Sequence, residues 1–212
     1  MFSIKTYNNS YKVDWNNFVD ISKNSTFLFK REFMDYHAEN FEDFSLLIFY
    51  NSELIALFPC NIREGEVYSH EGLSYGGIIV KGDIKFLKYL ELFTYLLKYF
   101  DEKSINKLYI KQIPSIYNSN FNGELDYLSF IIGAKIYRRD IISVIEMKNE
   151  NKISKDRIQG YKRGKKNKLE IKETDDLDEF WNSILTPTLL NRHEVNPVHS
   201  LEAVSYTHLT LP

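Results

Sequence analysis

Two rhythms of apolar residues run along the chain. Residues 2–7 alternate apolar and polar, which predicts a first strand. After Asp14, the positions Trp15, Phe18, Val19 and Ser22 recur at three- and four-residue spacing, the stripe of an amphipathic helix. Asn24, Ser25 or Thr26 can cap a second helix that carries Phe29, Phe33, Met34 and His37. Residues 44–50 and 53–59 are apolar runs joined by Asn51 and Ser52, a hairpin signal. Residues 66–70 and 75–80 predict shorter strands around a glycine-rich bend. Residues 85–100 set Leu87, Leu90, Phe93 and Leu97 around a long helix. Residues 107–113 predict a strand stopped by Pro114, and residues 125–132 a helix ended by Gly133. Residues 137–147 predict a last strand or strand pair.

The texture changes from Lys148. Residues 149–154 are polar and linker-like, and residues 155–168 (KDRIQGYKRGKKNK) are strongly basic. Residues 169–174 then predict a strand, and residues 176–191 a helix with Phe180, Trp181, Ile184 and Leu185 on one face. A domain boundary is expected near residue 150, with 1–150 as a first domain and 151–202 as the start of a second. Residues 204–212 match, as a string, the translation of a transposon-type sequencing-library adaptor. On that reading residues 203–212 are a non-native tail and native sequence is cut off near Glu202.

Composition narrows the function classes. Of 212 residues 43% are apolar and 15% aromatic, enough for a packed core and incompatible with a disordered chain. Lys and Arg number 27 against 29 Asp and Glu, a formal net charge of −2, which excludes a wholly basic nucleic-acid coat. Cys60 is the single cysteine, so neither a disulfide framework nor a Cys-rich zinc module can form. The start has no apolar core of a secretion signal, and no apolar run approaches the roughly 20 residues of a membrane span. The expectation is a cytoplasmic protein with no bound metal.

Candidate chemistry sits at three places. Residues 69–77 (SHEGLSYGG) place three glycines, hydroxyls, His70 and Tyr75 between two strands. Glycine permits close approach of a ligand to backbone, and Ser69, His70 and Tyr75 can hydrogen-bond a sugar or peptide beside Gly76 and Gly77. The competing reading is a hairpin with no ligand. Asp35 and His37 are too close on a helix to face one another as a dyad, and His37 reads better as a packed residue. Cys60 follows Pro59 in a strand and reads as a small hydrophobe, not a nucleophile. In the basic segment Arg157, Lys162, Arg163 and Lys165 form a candidate anion site, against the alternative of a solvated face; Gly160 and Gly164 weaken its helix. Arg192, His193 and His199 near the end read as structural, with His193 the one that fits a general base if its pKa lies near 7. No catalytic residue is identified.

The order of strand, two helices, antiparallel strands, helix, strand, helix, strand resembles the GNAT acyltransferases. The strings TFLFKREFMDYH at 26–37, FEDFSLL at 41–47, YSHEGLSYGG at 68–77, and His193 followed by PVHSL at 197–201 resemble a FemABX-like subgroup with tandem domains. The resemblance implies an α/β fold with a mixed, mainly antiparallel central sheet flanked by helices. It further implies acyl transfer, mainly acetyl, from acyl-CoA to an amine of a sugar or peptide acceptor in cell-envelope biosynthesis. Relatives that use aminoacyl-tRNA to extend a peptidoglycan bridge supply an alternative, with tRNA as partner; a noncatalytic sugar- or peptide-binding module is another. DNA is not expected as a partner. One departure matters. Where such folds hold the coenzyme's diphosphate on a glycine-rich loop before the long helix, residues 79–84 read IVKGDI, and Asp83 fits an N-cap better than an anion site. The acetyl-CoA loop is therefore expected in the second domain, beyond the cut, leaving this chain without cofactor and inactive alone.

Overall fold

A computed structural model describes residues 1–36, 40–120, 122–146, 152–173, 176–197, 201 and 204. The chain divides into two compact units, Met1–Lys135 and Ile136–Pro212. His37, His199 and the tail from residue 205 lie outside the described residues.

In the first unit, β1 (Phe2–Thr6) leads to α1 (Lys12–Ile21), a 3-10 turn (Phe27–Phe29) and the short α2 (Arg31–Asp35). The single helix expected after Thr26 is thus split, because Lys30 between the two pieces is extended (ψ 140°). β2 (Glu42–Asp43), β3 (Leu46–Tyr50), β4 (Glu53–Phe58), β5 (Asn61–Arg63), β6 (Glu66–Tyr68) and β7 (Ile79–Val80) follow. They are succeeded by α3 (Phe86–Glu102), β8 (Leu108–Tyr109) and α4 (Glu124–Ile131).

The strands form two four-stranded sheets, ordered β1-β3-β4-β7 and β2-β5-β6-β8, antiparallel except for the parallel pair β6 and β8. β2 continues into β3 and β4 into β5. The ladder breaks at Pro59, which has no N–H to give. There the Cys60 N–H donates to Ser45 Oγ (3.2 Å) and the Phe44 N–H to Cys60 O (2.9 Å). The β3–β4 hairpin turns at Asn51 and Ser52, both at positive φ (48° and 67°), the geometry that a two-residue hairpin turn needs.

Alternation along the strands serves two cores. Leu46, Ile48, Ala56, Phe58 and Val80 pack with Tyr89, Leu92, Leu96 and Phe100 of α3. Leu47, Leu57 and Ile79 pack with Trp15, Phe18 and Val19 of α1, and with Phe29 and Met34. Period two on a strand sends neighbours to opposite faces, and both faces are covered. The mixed, mainly antiparallel α/β architecture that the resemblance implies is present.

In the second unit, α5 (Lys155–Lys166) is capped by Ser154, whose Oγ accepts from the Arg157 N–H. A continuous helical stretch follows: α6 (Leu177–Glu179), a π-helical turn (Phe180–Leu185) and α7 (Thr186–His193). Asp176 caps it, accepting from the Asp178 N–H at 3.1 Å. Pro187, lacking an N–H, removes an i→i−4 bond, and the Thr186 N–H reaches back to Trp181 O.

Two expected strands are not seen. Among the described residues, 137–146 and 169–173 have no ladder partner, and Ile141 and Ile171 are fully exposed. Alternation marks which side chains suit a sheet, but a strand exists only where a second backbone answers its N–H and C=O groups.

Candidate functional site

The parallel pair β6 and β8 fixes the site. Their register runs Val67↔Leu108 and Tyr68↔Tyr109, and the Ser69 N–H adds one more bond, to Tyr109 O at 2.8 Å. The chain then leaves the sheet for residues 70–75 and returns at Gly76, whose N–H donates to Lys111 O at 2.6 Å. Past that point the strands part. The Gly76 side continues into β7, which pairs with β4, while the β8 side turns off at Pro114. A cavity of about 280 Å³ lies at the parting, lined by Gly76 and Ile78, by Gln112 to Ser115, by Tyr89 of α3, and by Asn118, Asn122 and Asp126 around the start of α4.

The detour is held by its own hydrogen bonds. Ser69 Oγ accepts from the Lys111 N–H (2.8 Å), and Lys111 Nζ donates to Leu73 O (2.5 Å) and Glu71 O (3.1 Å). Asn61 clasps Glu71 twice, accepting from its N–H (2.7 Å) and donating to its carboxylate (2.8 Å). Ser69 and His70 are 1% and 3% exposed, and His70 holds φ +67°. Their side chains are buried within the turn. Tyr75 donates to Thr26 Oγ1 (3.0 Å) and packs on Phe29 and Tyr117; burial raises its hydroxyl pKa, and the Thr26 bond partly opposes that. Gly77, at φ +113°, packs near Ile110 and Leu125. Of the five, Gly76 is the one that lines the cavity. It must be glycine, since a Cβ there would lie 2.0 Å from Ser69 O.

Residues not anticipated from the sequence build the rest. Buried Asn24 spans from α1 to the β7 strand, donating to Ile78 O (2.8 Å) and accepting from the Val80 N–H (2.9 Å). Lys23 Nζ pairs with Glu124 Oε1 at 2.6 Å. Asn118 Oδ1, Asn122 Oδ1 and Glu124 Oε2 are buried and find no donor among the described residues. Burial, reinforced by Glu124 and Asp126, raises the Tyr89 pKa strongly, so its hydroxyl stays protonated. The signal of this in the sequence is the asparagine-rich stretch 118–122 after Pro114, with Asn118, Asn120 and Asn122.

The segment before α3 departs from a glycine-rich loop. The N-cap of α3 is Lys85, not Asp83, and its side chain makes no cap bond. Gly82 is not at positive φ, and a Cβ there would meet nothing nearer than 3.6 Å, so no backbone cradle requires glycine. Lys81 is engaged by Glu53 at 2.6 Å. No step is derived through a coenzyme diphosphate in this unit.

Asp35 is taken by Arg31 (2.5 Å), which also reaches Asp43 (2.6 Å) and lies 3.7 Å from the Tyr7 ring centroid. Cys60 is buried, and burial, with Asp43 nearby, pushes its thiol pKa well up, which suits an inert hydrophobe. In the second unit Arg157 and Arg163 border one groove with Ser154 and Tyr161, whereas Lys162 and Lys165 do not line it. Lys165 lies over the Tyr161 ring at 5.0 Å. His193 is exposed at the end of α7. Among the described residues no group of three or more His, Cys, Asp or Glu could hold a metal, and no helix is long and apolar enough to cross a membrane.

No protein-family profile and no curated protein matches the chain. Among solved structures, the chain is similar to AAC(6')-Iy bound to the bisubstrate analogue CoA-S-monomethyl-acetylneamine, at 12% identity and TM-score 0.43, over 69% of this chain and 99% of that one. It is also similar to the ribosomal-protein-S18-alanine N-acetyltransferase of Escherichia coli, at 12% identity and TM-score 0.38, over 51% of this chain and 64% of that one. A third similarity is to the PaiA N-acetyltransferase of Thermoplasma acidophilum with coenzyme A, at 12% identity and TM-score 0.33.

Proposed function

We propose that this chain is the acceptor-handling part of a GNAT-type, FemABX-like N-acyltransferase acting on a sugar or peptide amine in cell-envelope biosynthesis. The observation that carries the reading is the parting of the parallel β6 and β8 strands over a polar cavity, in a unit whose α3 entry has no diphosphate cradle. A unit so built suits an amine-bearing acceptor, and the acyl-CoA loop belongs to the rest of the protein, in a second similar domain begun by residues 151–202. The chain by itself is then inactive.

The reaction needs no covalent enzyme intermediate. The deprotonated acceptor nitrogen attacks the thioester carbonyl carbon, the carbon–sulfur bond breaks, and the nitrogen's proton ends on the departing thiol. A general base removes that proton, and N–H donors stabilise the tetrahedral oxyanion. In this chain the Gly76 turn shapes the acceptor wall and Asn24 holds the strand that backs it.

The test is thiol release from acetyl-CoA by the complete protein, read through past Glu202, with amino sugars, nucleotide-linked amino sugars and peptides as acceptors. Release that depends on one acceptor class supports the reading, and no release with any of them overturns it. The groove of Arg157 and Arg163 favours a second reading, transfer from aminoacyl-tRNA. Under that reading transfer is abolished by ribonuclease and needs no CoA.

A further inference from the structure

The loop that leads into α4 carries the one Asn-Gly pair of the sequence, Asn122-Gly123. An asparagine side-chain carbonyl carbon lies within reach of the backbone nitrogen of the next residue, and in a folded chain restraint is what prevents attack. The amide is held by hydrogen bonds, the nitrogen is tied to an acceptor, or the next side chain blocks the approach. Asn24, followed by Ser25, shows the first restraint: its amide is bonded at both ends, to Ile78 O and to the Val80 N–H. Asn118 shows the second, since the Ser119 N–H donates to Lys23 O at 2.8 Å. At Asn122 all three are missing. Its Oδ1 meets no donor, and its Nδ2 no acceptor, among the described residues. The Gly123 N–H has no acceptor among them either. Gly123 is exposed, forms the N-cap of α4, and has no atom within 4 Å of the place where a Cβ would stand.

We propose that Asn122 is a site of spontaneous deamidation through a cyclic imide formed with Gly123. The Gly123 nitrogen gives its proton to solvent base and bonds to Asn122 Cγ. The Cγ–Nδ2 bond then breaks, and ammonia leaves with a proton taken from solvent. Water opens the imide at one of its two carbonyls. Opening at Cγ breaks the new bond and leaves aspartate. Opening at the backbone carbonyl leaves isoaspartate, with the chain rerouted through Cγ and one methylene longer. The balance is water in and ammonia out, with no oxidant or reductant. Position gives the change its consequence. Asn122 and Asp126 both line the cavity at the parted strands, so a second carboxylate arises in its wall. The altered backbone also lies just ahead of Gly123, whose carbonyl accepts from the Tyr127 N–H (3.1 Å), and of Glu124, which holds buried Lys23. The conversion is thus a one-way change to the cavity wall and to the entry of α4. It does not rest on the acyl-transfer reading.

The experiment is incubation of the folded 212-residue chain in mildly alkaline buffer made with water rich in heavy oxygen, followed by peptide mapping in a mass spectrometer. Asn122 is expected to show OH in place of NH2, to carry the heavy oxygen, and to give both aspartate and isoaspartate. It should convert about tenfold or more faster than Asn118, a barrier difference of about 1.4 kcal/mol. Gly123→Ala, where a Cβ has room and a φ of −110° suits any residue, should slow the conversion about tenfold. The comparison of Asn122 with Asn118 uses the unaltered chain, so it decides the matter whether or not that variant folds. Conversion at Asn118 as fast as at Asn122 overturns the proposal. So does a rate that Gly123→Ala leaves unchanged in a folded variant, or aspartate formed without isoaspartate. Conversion that begins only once denaturant has unfolded the chain overturns it too, since the fold then restrains the pair.

Discussion

Lys23 and Glu124, one hundred and one positions apart, form a nearly buried ion pair, with Nζ 2.6 Å from Oε1 and side-chain exposures of 4% and 16%. The pair ties the turn after α1 to the first turn of α4. Removing one partner strands the other charge, which typically costs about 3–5 kcal/mol. Lys23→Met should therefore lower the midpoint of thermal unfolding markedly. A double variant, Lys23→Met with Glu124→Leu, should recover much of the loss, and circular dichroism melts of the two variants check this.

Gly76 and Gly82 make opposite predictions about alanine. A Cβ on Gly76 would sit 2.0 Å from Ser69 O, a backbone atom that cannot swing away, so Gly76→Ala should destabilise by about 3 kcal/mol or prevent folding. At Gly82 the nearest atom is 3.6 Å away and φ is not positive, so Gly82→Ala should be neutral or gain up to ~1 kcal/mol. Urea unfolding of the two variants measures the contrast.

Cys60, Tyr75 and Tyr89 all have pKa values raised by burial. A group whose folded-state pKa lies above its unfolded value adds stability that is whole below the unfolded pKa and fades as pH climbs past it. Stability should thus hold through neutral pH and fall from about pH 9 upward, as the unfolded chain sheds protons that the folded chain keeps. Urea midpoints from pH 7 to 11 test the direction. In the folded chain the Cys60 thiol should also fail to react with a disulfide reagent until denaturant is added.

Arg31, 3% exposed, bridges Asp35 and Asp43 and stacks on Tyr7. Arg31→Lys keeps the charge but loses the planar fork that reaches both carboxylates. It should cost about 2 kcal/mol, more than Lys30→Arg at the partly exposed neighbouring position. Paired melts of the two variants decide it.

Local grammar made much of the fold legible. The β3–β4 hairpin follows from Asn51 and Ser52, which tolerate positive φ, and α3 from the helical spacing of Leu87, Leu90, Phe93 and Leu97, although the face it buries runs through Tyr89, Leu92, Phe93, Leu96 and Phe100. The site was legible in part. Gly76 stood out because glycine clusters mark close backbone approach. The burial of Ser69 and His70 depends instead on Lys111, some forty residues later, folding its N–H and Nζ onto the turn. Likewise Asn118 and Asn122 read as ordinary loop residues, because what distinguishes them is the missing donor, a property of the surroundings and not of the residue. Residues 137–146 are rich in β-branched side chains, yet pairing is decided by another segment.

On the proposed reading the first unit serves an acceptor and offers no seat to a coenzyme's diphosphate. The most direct test is a CoA titration of the 212-residue chain, reading the backbone amides of residues 81–86 by NMR. The account predicts no saturable shift there up to millimolar CoA, whereas a saturable shift centred on Gly82 to Phe86 would contradict it.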